Sequence, residues 1–582
     1  MRIAVIDRDL CTRTKCGYVC EKVCPVNRMG KECIVTEEAT GYPAISEQLC
    51  IGCGICVKKC PMSCISIINL KEEIGAPLYQ YGVNSFRIHG MPLPKEGVTG
   101  LIGKNGIGKT TSLRILTKQL RPNFGSTRRK KISDEELMEK FSMEQRRYWE
   151  ALGKTAKASY KPQNIEQIRD VFDGTALELL TKFDEGRKDE AIEKFGLGKI
   201  LGRKLSQLSG GEMQKLAIAV AYMKNADIYF FDEPTNYLDI AERMRIAVLL
   251  KEFGEQKKIM LAEHDLAILD YASDYVYLFW GDENVYGVVS NVKNVRSGIN
   301  EYLSGFLKDE NIKFRDREIV FSKFSEGERK KPVKFAYSAM KKHYKGFGLS
   351  CDEGTLRQGE IVGIVGRNAL GKSTFVKMLA GVEKPDEGEG GAFKVSYKPQ
   401  YIKAEEGVTV EQLFSSKDLN AAVLSDCKRR LDVNRLMLKK LTELSGGELQ
   451  RVAITLALST EADLYLLDEP SAFLDIEQRL NLGDLLRSIF TDSGKCAFVV
   501  DHDVVFVDAV SSRLIVFDGE QSVKGHAFSP MNKREGMNAF LKLVDVTMRR
   551  DKDTNRPRIN KPGSVLDREQ KETGDYYYQK EE

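Results

Sequence analysis

The chain has 582 residues, 42% of them hydrophobic and 30% charged. At ~150 residues per domain this predicts about three to five domains, and the balance argues against wholesale disorder, a collagen-like repeat and an integral membrane protein. Lys and Arg number 89 against 84 Asp and Glu, a net charge of +5, too small for this size to imply nucleic-acid binding by itself.

The first residues, Met1-Arg2-Ile3-Ala4-Val5-Ile6-Asp7, place an acid where a secretory apolar segment would continue. No signal or transit peptide is expected, and the cytosol is the expected compartment. Ten of the 13 cysteines then fall between Cys11 and Cys64, which in a reducing compartment points to metal rather than disulfides. They form Cys11-x4-Cys16-x3-Cys20-x3-Cys24-Pro25 and Cys50-x2-Cys53-x2-Cys56-x3-Cys60-Pro61. The second group resembles the bacterial ferredoxin run, in which three close thiolates hold one cluster and the fourth, before proline, reaches the other. The resemblance implies one [4Fe–4S] cluster on Cys11, Cys16, Cys20 and Cys60 and a second on Cys50, Cys53, Cys56 and Cys24, with Cys33 and Cys64 as non-ligands. Zinc, the competing reading, expects paired C-x2-C knuckles across a longer loop. With little apolar core in ~75 residues, two clusters could supply much of the folding free energy, so loss of iron should unfold this part.

From about residue 76 one ordered motif set occurs twice. Gly103-Lys104-Asn105-Gly106-Ile107-Gly108-Lys109-Thr110 and Gly366-Arg367-Asn368-Ala369-Leu370-Gly371-Lys372-Ser373 fit G-x-x-x-x-G-K-[ST], each between a β-branched run and a helical one opened by Thr111 or Thr374. Backbone N–H groups at a helix N-terminus would cradle phosphate, Lys109 or Lys372 would add a point charge, and Thr110 or Ser373 would ligate Mg²⁺. Next come Leu208-Ser209-Gly210-Gly211-Glu212 and Leu444-Ser445-Gly446-Gly447-Glu448, each opening a helix. The apolar runs 228–231 and 464–467 then end in Asp232-Glu233 and Asp468-Glu469, as buried parallel strands delivering carboxylates at their C-terminal ends. Asp232 and Asp468 would hold Mg²⁺ through water, and Glu233 and Glu469 would orient or deprotonate the attacking water. A further strand in each copy ends in His264 or His502.

These motifs resemble the ATP-binding cassette family over roughly residues 76–525. By that resemblance Gln163 and Gln400 lie near Mg²⁺, residues 236–239 and 472–475 are D-loops, and His264 and His502 sense the γ-phosphate. Tyr81 or Phe86, and Tyr344 or Phe347, would stack on adenine, or are ordinary core aromatics. Each signature serine faces the other copy's nucleotide, pairing Lys109 with Ser445 and Lys372 with Ser209. The lysines are 263 residues apart, but the glutamines are 237, and the serines and aspartates 236. The first copy therefore carries 26 extra residues before its glutamine, placed at about 126–155. Leu137, Phe141, Tyr148 and Leu152 predict two short amphipathic helices there, behind a basic Arg128-Arg129-Lys130-Lys131 that would touch nucleic acid or be a solvated decoration.

The fold class is therefore α/β, with two tandem cassettes behind a small ferredoxin-like domain. Expected boundaries are 1–75, 76–310, a linker at 311–335, 336–525, and a tail at 526–582. This arrangement resembles subfamily E of the cassette proteins, the RNase L inhibitor family of ribosome-recycling factors. The resemblance implies an Mg²⁺-dependent ATPase that makes ADP and phosphate, acts as a monomer, and closes on ATP to swing the iron–sulfur domain and split ribosomes. Its partners would be the ribosome, above all the small subunit's rRNA and proteins, a release factor or Pelota-like factor, and further initiation factors, with no membrane. The segment around Arg315-Asp316-Arg317-Glu318 and the tail from Arg549 to Gly563 would form a hinge. The weighed alternatives are an ATP-gated redox protein, a transporter-type ATPase and a chromosome or repair ATPase. The last lacks its long heptad segments here. Lys104 and Arg367 stand where the family has proline and Ala369 where it has glycine, so two sites of unequal rate are expected.

Overall fold

The computed structural model describes residues 2–8, 10–38, 40–69, 74–126, 132–321, 331–390, 393–400, 404–551 and 554–577. The basic run 128–131 and part of the expected linker, 322–330, lie outside them. The chain divides into two units, one of Met1–Pro234, Leu249–His264 and Ala272–Glu318, the other of Thr235–Val248, Asp265–Tyr271 and Ile319–Glu582.

The first unit opens with a small lobe. Strands Arg2–Ile6 and Ile65–Asn69 pair antiparallel, as do Ile34–Thr36 and Pro43–Ile45. Between them lie two matching short helices, Val19–Val23 and Ile55–Lys59, entered by left-handed residues, Tyr18 and Gly54. Cys20 and Cys56 are the second residues of these helices, and Cys24 and Cys60 end them. The period-2 alternation of the first strand divides its neighbours. Ala4 and Ile6 join the cysteine-rich core of the lobe, while Ile3 and Val5 pack on Val285, Tyr286 and Val288 of the cassette.

The cassette sheet of this unit runs Tyr79–Gln80, Arg87–His89, Tyr286–Val289, Tyr275–Asp282, Val98–Ile102, Lys258–Ala262, Ile228–Asp232 and Ala158–Lys161. The last five strands are mutually parallel. Ile228–Asp232 and Val98–Ile102 are buried throughout, as parallel strands covered on both faces must be. The 26-residue excess does contain two helices, Asp134–Lys140 and Met143–Ala151, each opened by a serine capping box. Leu137, Phe141 and Leu152 are buried together with Trp149. Tyr148 donates to Leu116 O at 2.6 Å, and Lys118 Nζ donates to Leu152 O, so this hairpin is seated on the end of helix Lys109–Leu116.

The second unit repeats the sheet: Met340–Tyr344, Phe347–Cys351, Lys524–Ala527, Arg513–Glu520, Ile361–Gly366, Cys496–Val500, Leu464–Asp468 and Val395–Lys398. Three boundaries differ from expectation, the first being the one at 310, which the antiparallel pair Phe306–Leu307 and Ile312–Lys313 straddles. Strand Val333–Tyr337, paired with Gly354–Arg357, starts within the stretch expected as linker. Residue 525 lies inside strand Lys524–Ala527, which the sheet requires between two others. Beyond it, helix Lys533–Leu543 covers strand Arg513–Glu520, with Gly536 against Leu514. The tail then folds as the antiparallel pair Met548–Arg550 and Pro557–Ile559, followed by helix Val565–Thr573.

Candidate functional site

Each phosphate loop joins a buried strand to a helix whose N-cap is a left-handed glycine, Gly108 before Lys109–Leu116 and Gly371 before Lys372–Leu379. At Gly108 the glycine is obligatory on two counts. Its φ is 101°, and a Cβ there would lie 2.6 Å from Ile88 Cδ1 and 3.0 Å from Phe86 Cζ. Lys109 Nζ donates to the carbonyls of Gly103 and Lys104 at 2.8 and 2.7 Å, and Lys372 Nζ to those of Gly366 and Arg367 at 2.9 and 2.7 Å. Burial pushes Lys372 down to about 8. The fourth loop positions differ: Gly106 has φ 65°, and Ala369 is held at φ 58°.

Asp232 and Asp468 end their strands as expected. Burial, then the charge of Glu233, pushes the Asp232 carboxyl up to about 6. Burial also raises Asp468 to about 6; the Ser373 hydroxyl stands beside it, yet neither carboxylate oxygen has a hydrogen-bond partner of good geometry. Two desolvated carboxylates, each beside a loop hydroxyl, Thr110 or Ser373, are a donor set that fits Mg²⁺. Gln163 and Gln400 are turned instead to the glutamates, donating to Glu233 Oε1 at 2.8 Å and Glu469 Oε1 at 2.7 Å. His264 Nε2 and His502 Nε2 meet the same oxygens at 3.3 and 3.2 Å. Glu469 is buried, which would raise its pKa, but the His502 contact and the Lys372 charge bring it down to about 2. Both glutamates adopt positive φ, 47° and 48°, a strain stored where the chemistry is expected.

Ser209 and Ser445 cap helices Gly210–Met223 and Gly446–Ser459 through reciprocal boxes with Glu212 and Glu448. The first-turn N–H groups at Gly210 and Gly211, and at Gly446 and Gly447, therefore stand at incompletely buried helix N-termini, suited to phosphate. Of the D-loops, Asp239 Oδ2 accepts from Asn368 N at 2.8 Å, and Asp475 caps helix Ile476–Ser493. Among the aromatics, Phe86 and Phe347 pack at the loop glycines. Tyr81 and Tyr344 are 49% and 41% exposed and reach Thr111 and Thr374 through their hydroxyls.

Several residues of the site were not foreseen. Lys161 Nζ donates to the carbonyls of Asp232 and Glu233, and Lys398 Nζ to those of Asp468 and Glu469. Gln214 and Gln450 hold the Glu233 and Glu469 carbonyls from the signature helices, each at 2.6 Å. Arg169, on the helix after Gln163, donates to Leu208 O at 2.6 Å, tying that helix to the signature loop. Lys161 and Lys398, like Gln214 and Gln450, recur at the offset of the motifs around them, which was the available signal; Arg169 has no such counterpart, since Glu406 stands at the matching position.

In the small lobe the thiols fall into two crossed groups. Cys20, raised to about 11 by burial, also feels Cys16, Cys60 and Cys11. Cys56, raised to about 11 by burial, feels Cys50, Cys53 and Cys24. Cys11, Cys16, Cys20 and Cys60 line one cavity. Thiols spread around a cavity fit a multi-iron cluster. Cys33 lies beside Cys24 and Cys50, and Cys64 beside Cys60 and Cys11. The Cys64 thiol and the N–H groups of Cys64, Met62 and Ser63 hold Cys60 down to about 6 against its burial.

The lobe is fastened to the cassette at the hairpin that carries Tyr81 and Phe86. Asn84 donates to Ala4 O and Ile45 O and accepts from Ile45 N at 2.7 Å. Arg87, 2% exposed, makes a two-pronged ion pair with Glu47 at 2.5 and 3.2 Å.

Family models described as "ABC transporter" match residues 89–236 and 350–472. "Possible Fer4-like domain in RNase L inhibitor" matches 1–32 and "4Fe-4S binding domain" matches 43–66. An "Uncharacterized ABC transporter ATP-binding protein" of Methanocaldococcus jannaschii is 49% identical over 99% of this chain and 98% of its own. The "ABC transporter E family member 1" of Arabidopsis thaliana is 41% identical over 99% and 98%. Among solved structures, a chain of the "Model of ribosome-bound archaeal Pelota and ABCE1" superposes with TM-score 0.94 at 47% identity, covering 100% of this chain and 99% of that one. A chain from the complex of "archaeal ribosomal stalk protein aP1 and archaeal ribosome recycling factor aABCE1" gives 0.80 at 45%, covering 88% and 100%. Among the described residues no helix is long and apolar enough to cross a membrane.

Proposed function

This chain belongs to subfamily E of the ATP-binding cassette proteins, and we propose that it is an ATP-driven factor that splits ribosomes into subunits after termination or rescue. It works in the cytoplasm, on the small subunit's rRNA and proteins, with a release factor or Pelota-like factor and with initiation factors as later partners. The observation that carries the reading is the fastening of a thiol lobe to the nucleotide hairpin through Asn84 and Arg87, which puts a bulky body on the element that meets ATP. The relatives of known setting, on a ribosome with Pelota and with a stalk protein, support the same partner.

In this reading Lys109 and Lys372 leave their carbonyls for the β- and γ-phosphates, and the glycine N–H groups after each signature serine take the γ-phosphate. Thr110 with Asp232 and Ser373 with Asp468 would hold Mg²⁺, with Gln163 and Gln400 beside them. When bound, the ion neutralises phosphate charge. Glu233 and Glu469 orient the attacking water and accept its proton, while His264 and His502 hold those carboxylates and register the γ-phosphate. Hydrolysis to ADP and phosphate removes the contacts that drew the cassettes together. Shifting a 1:99 equilibrium to 99:1 needs ~5.5 kcal/mol of differential binding, within reach of two triphosphates with several charge-assisted bonds each. Cys11, Cys16, Cys20 and Cys60 would hold one [4Fe–4S] cluster and Cys24, Cys50, Cys53 and Cys56 the other. Bound there, the clusters would supply covalent rigidity to a lobe that has little apolar core of its own. The test is sedimentation of ribosomes with the protein, a release factor and ATP. Separation into subunits is expected, and particles that stay whole while a known splitting control separates them would refute the assignment.

A further inference from the structure

Five thiols, not four, surround the first cluster position. Cys64 lines the same cavity as Cys11, Cys16, Cys20 and Cys60, and its Sγ is 3.4 Å from Cys60 Sγ. The backbone builds this closeness. Cys60 ends helix Ile55–Lys59, the chain reverses through Ser63 at φ 49°, whose N–H donates to Cys60 O at 3.2 Å, and Cys64 then leads into strand Ile65–Asn69. Its carbonyl is fixed by Asp7 N at 2.8 Å. Cys64 is 5% exposed, so the thiol faces the cavity wall and not solvent. With metal–thiolate bonds of ~2.3 Å, two sulfurs this close can each reach the same iron.

We propose that Cys64 is a reserve ligand of the first iron–sulfur cluster, taking over the iron that Cys60 holds when that bond is lost. The proposal rests on the cluster assignment above. The exchange balances without an oxidant or reductant. The iron–sulfur bond to Cys60 breaks, one to Cys64 forms, and the Cys64 thiol proton passes to the Cys60 sulfur along the contact already made. At the matching offset after Cys24 the chain has Arg28, so the device belongs to the first position.

The experiment uses the full chain isolated without oxygen, as wild type, Cys64→Ala, Cys60→Ala, Cys60→Ala/Cys64→Ala and Cys20→Ala. The readouts are iron and labile sulfide per chain and the electron paramagnetic resonance of the reduced protein. Cys64→Ala and Cys60→Ala should each keep the wild-type iron, the latter with an altered signal, while the double variant and Cys20→Ala lose about half. Equal loss in Cys60→Ala and the double variant overturns the proposal. So does loss in Cys64→Ala alone, which would make Cys64 obligatory. Full iron in Cys20→Ala would instead refute the cluster assignment, and the proposal with it. Should Cys60→Ala not be recovered in soluble form, Cys60→Ser carries the comparison, and a signal unaffected by adding Cys64→Ala overturns it.

Discussion

Ala369 occupies a backbone position that its counterpart fills with glycine, and the left-handed φ of 58° costs an alanine about 1 kcal/mol relative to glycine. Ala369→Gly should therefore tighten the second loop, read as a rise in its thermal transition and nucleotide affinity. Gly106→Ala should do more harm, because its Cβ would also fall 2.5 Å from Asn284 Oδ1. Single-turnover hydrolysis in Glu233→Gln and Glu469→Gln should then show unequal residual rates, and equal ones would remove the asymmetry. A second consequence concerns protons. Buried Lys372 sits at about 8 without nucleotide, and triphosphate charge raises it, so binding takes up a proton wherever the free lysine is partly neutral. Calorimetry in buffers of different ionisation heat should show uptake growing between about pH 7 and pH 9. A heat independent of buffer throughout that range would show that Lys372 keeps its proton when empty.

Hairpin Tyr79–His89 touches both the helix after the first phosphate loop and the small lobe. Its exposed Tyr81 reaches Thr111 through its hydroxyl, while Asn84 and Arg87 grip the lobe. Removing Glu47 would leave Arg87, 2% exposed, as a buried cation without its partner, a loss of about 3–5 kcal/mol for a broken buried pair. Glu47→Ala should accordingly speed hydrogen exchange at Ala4, Ile6 and Ile45, whose N–H groups end on Glu47 or Asn84, while exchange in the strand Ile228–Asp232 stays slow. Unchanged protection at all three would show that the lobe is held by Ile3 and Val5 alone. None of this was legible in the sequence, where Asn84 and Arg87 have no motif and their partners lie some 40 to 80 residues away. The phosphate loops, signatures, acidic strands and crossed cysteine groups were legible, because their chemistry demands fixed local spacings and each occurs twice. Tertiary reach explains the misses as well: Lys161, Gln214 and Arg169 act on backbone carbonyls, so the repeat marks the first two as paired positions without showing what they hold. The boundary set at 525 failed for a related reason, since strand Lys524–Ala527 reads as a polar turn until its two neighbours are known.

Across the whole molecule the duplicated cassettes carry a duplicated anchor. Asp270 and Asp508 stand six residues after His264 and His502, on the helices Leu266–Ala272 and Val504–Val510. Within the second unit, Asp270 receives Arg558 at 2.6 Å and Arg556, wholly buried, at 3.3 Å. Asp508 receives Arg550 at 2.6 Å, Lys533 at 3.1 Å and the Tyr577 hydroxyl at 2.5 Å. The tail is thus bound to the two helices that follow His264 and His502 in the chain. Burial would raise the Asp508 carboxyl, but Lys533, Arg550 and Tyr577 outweigh it and hold it below the usual 3.8. A depressed folded-state value means the unfolded chain binds more protons, so this stabilisation is complete above about pH 4 and is lost as the pH falls further. Asp508→Ala should lower the denaturant midpoint of the second unit at pH 7 by an amount equivalent to about 3–5 kcal/mol. The gap between wild type and variant should then close below about pH 4. A gap that stays constant into acid would assign the loss to packing around residue 508 instead of to its charge, and would leave the tail without an ionic anchor on that side.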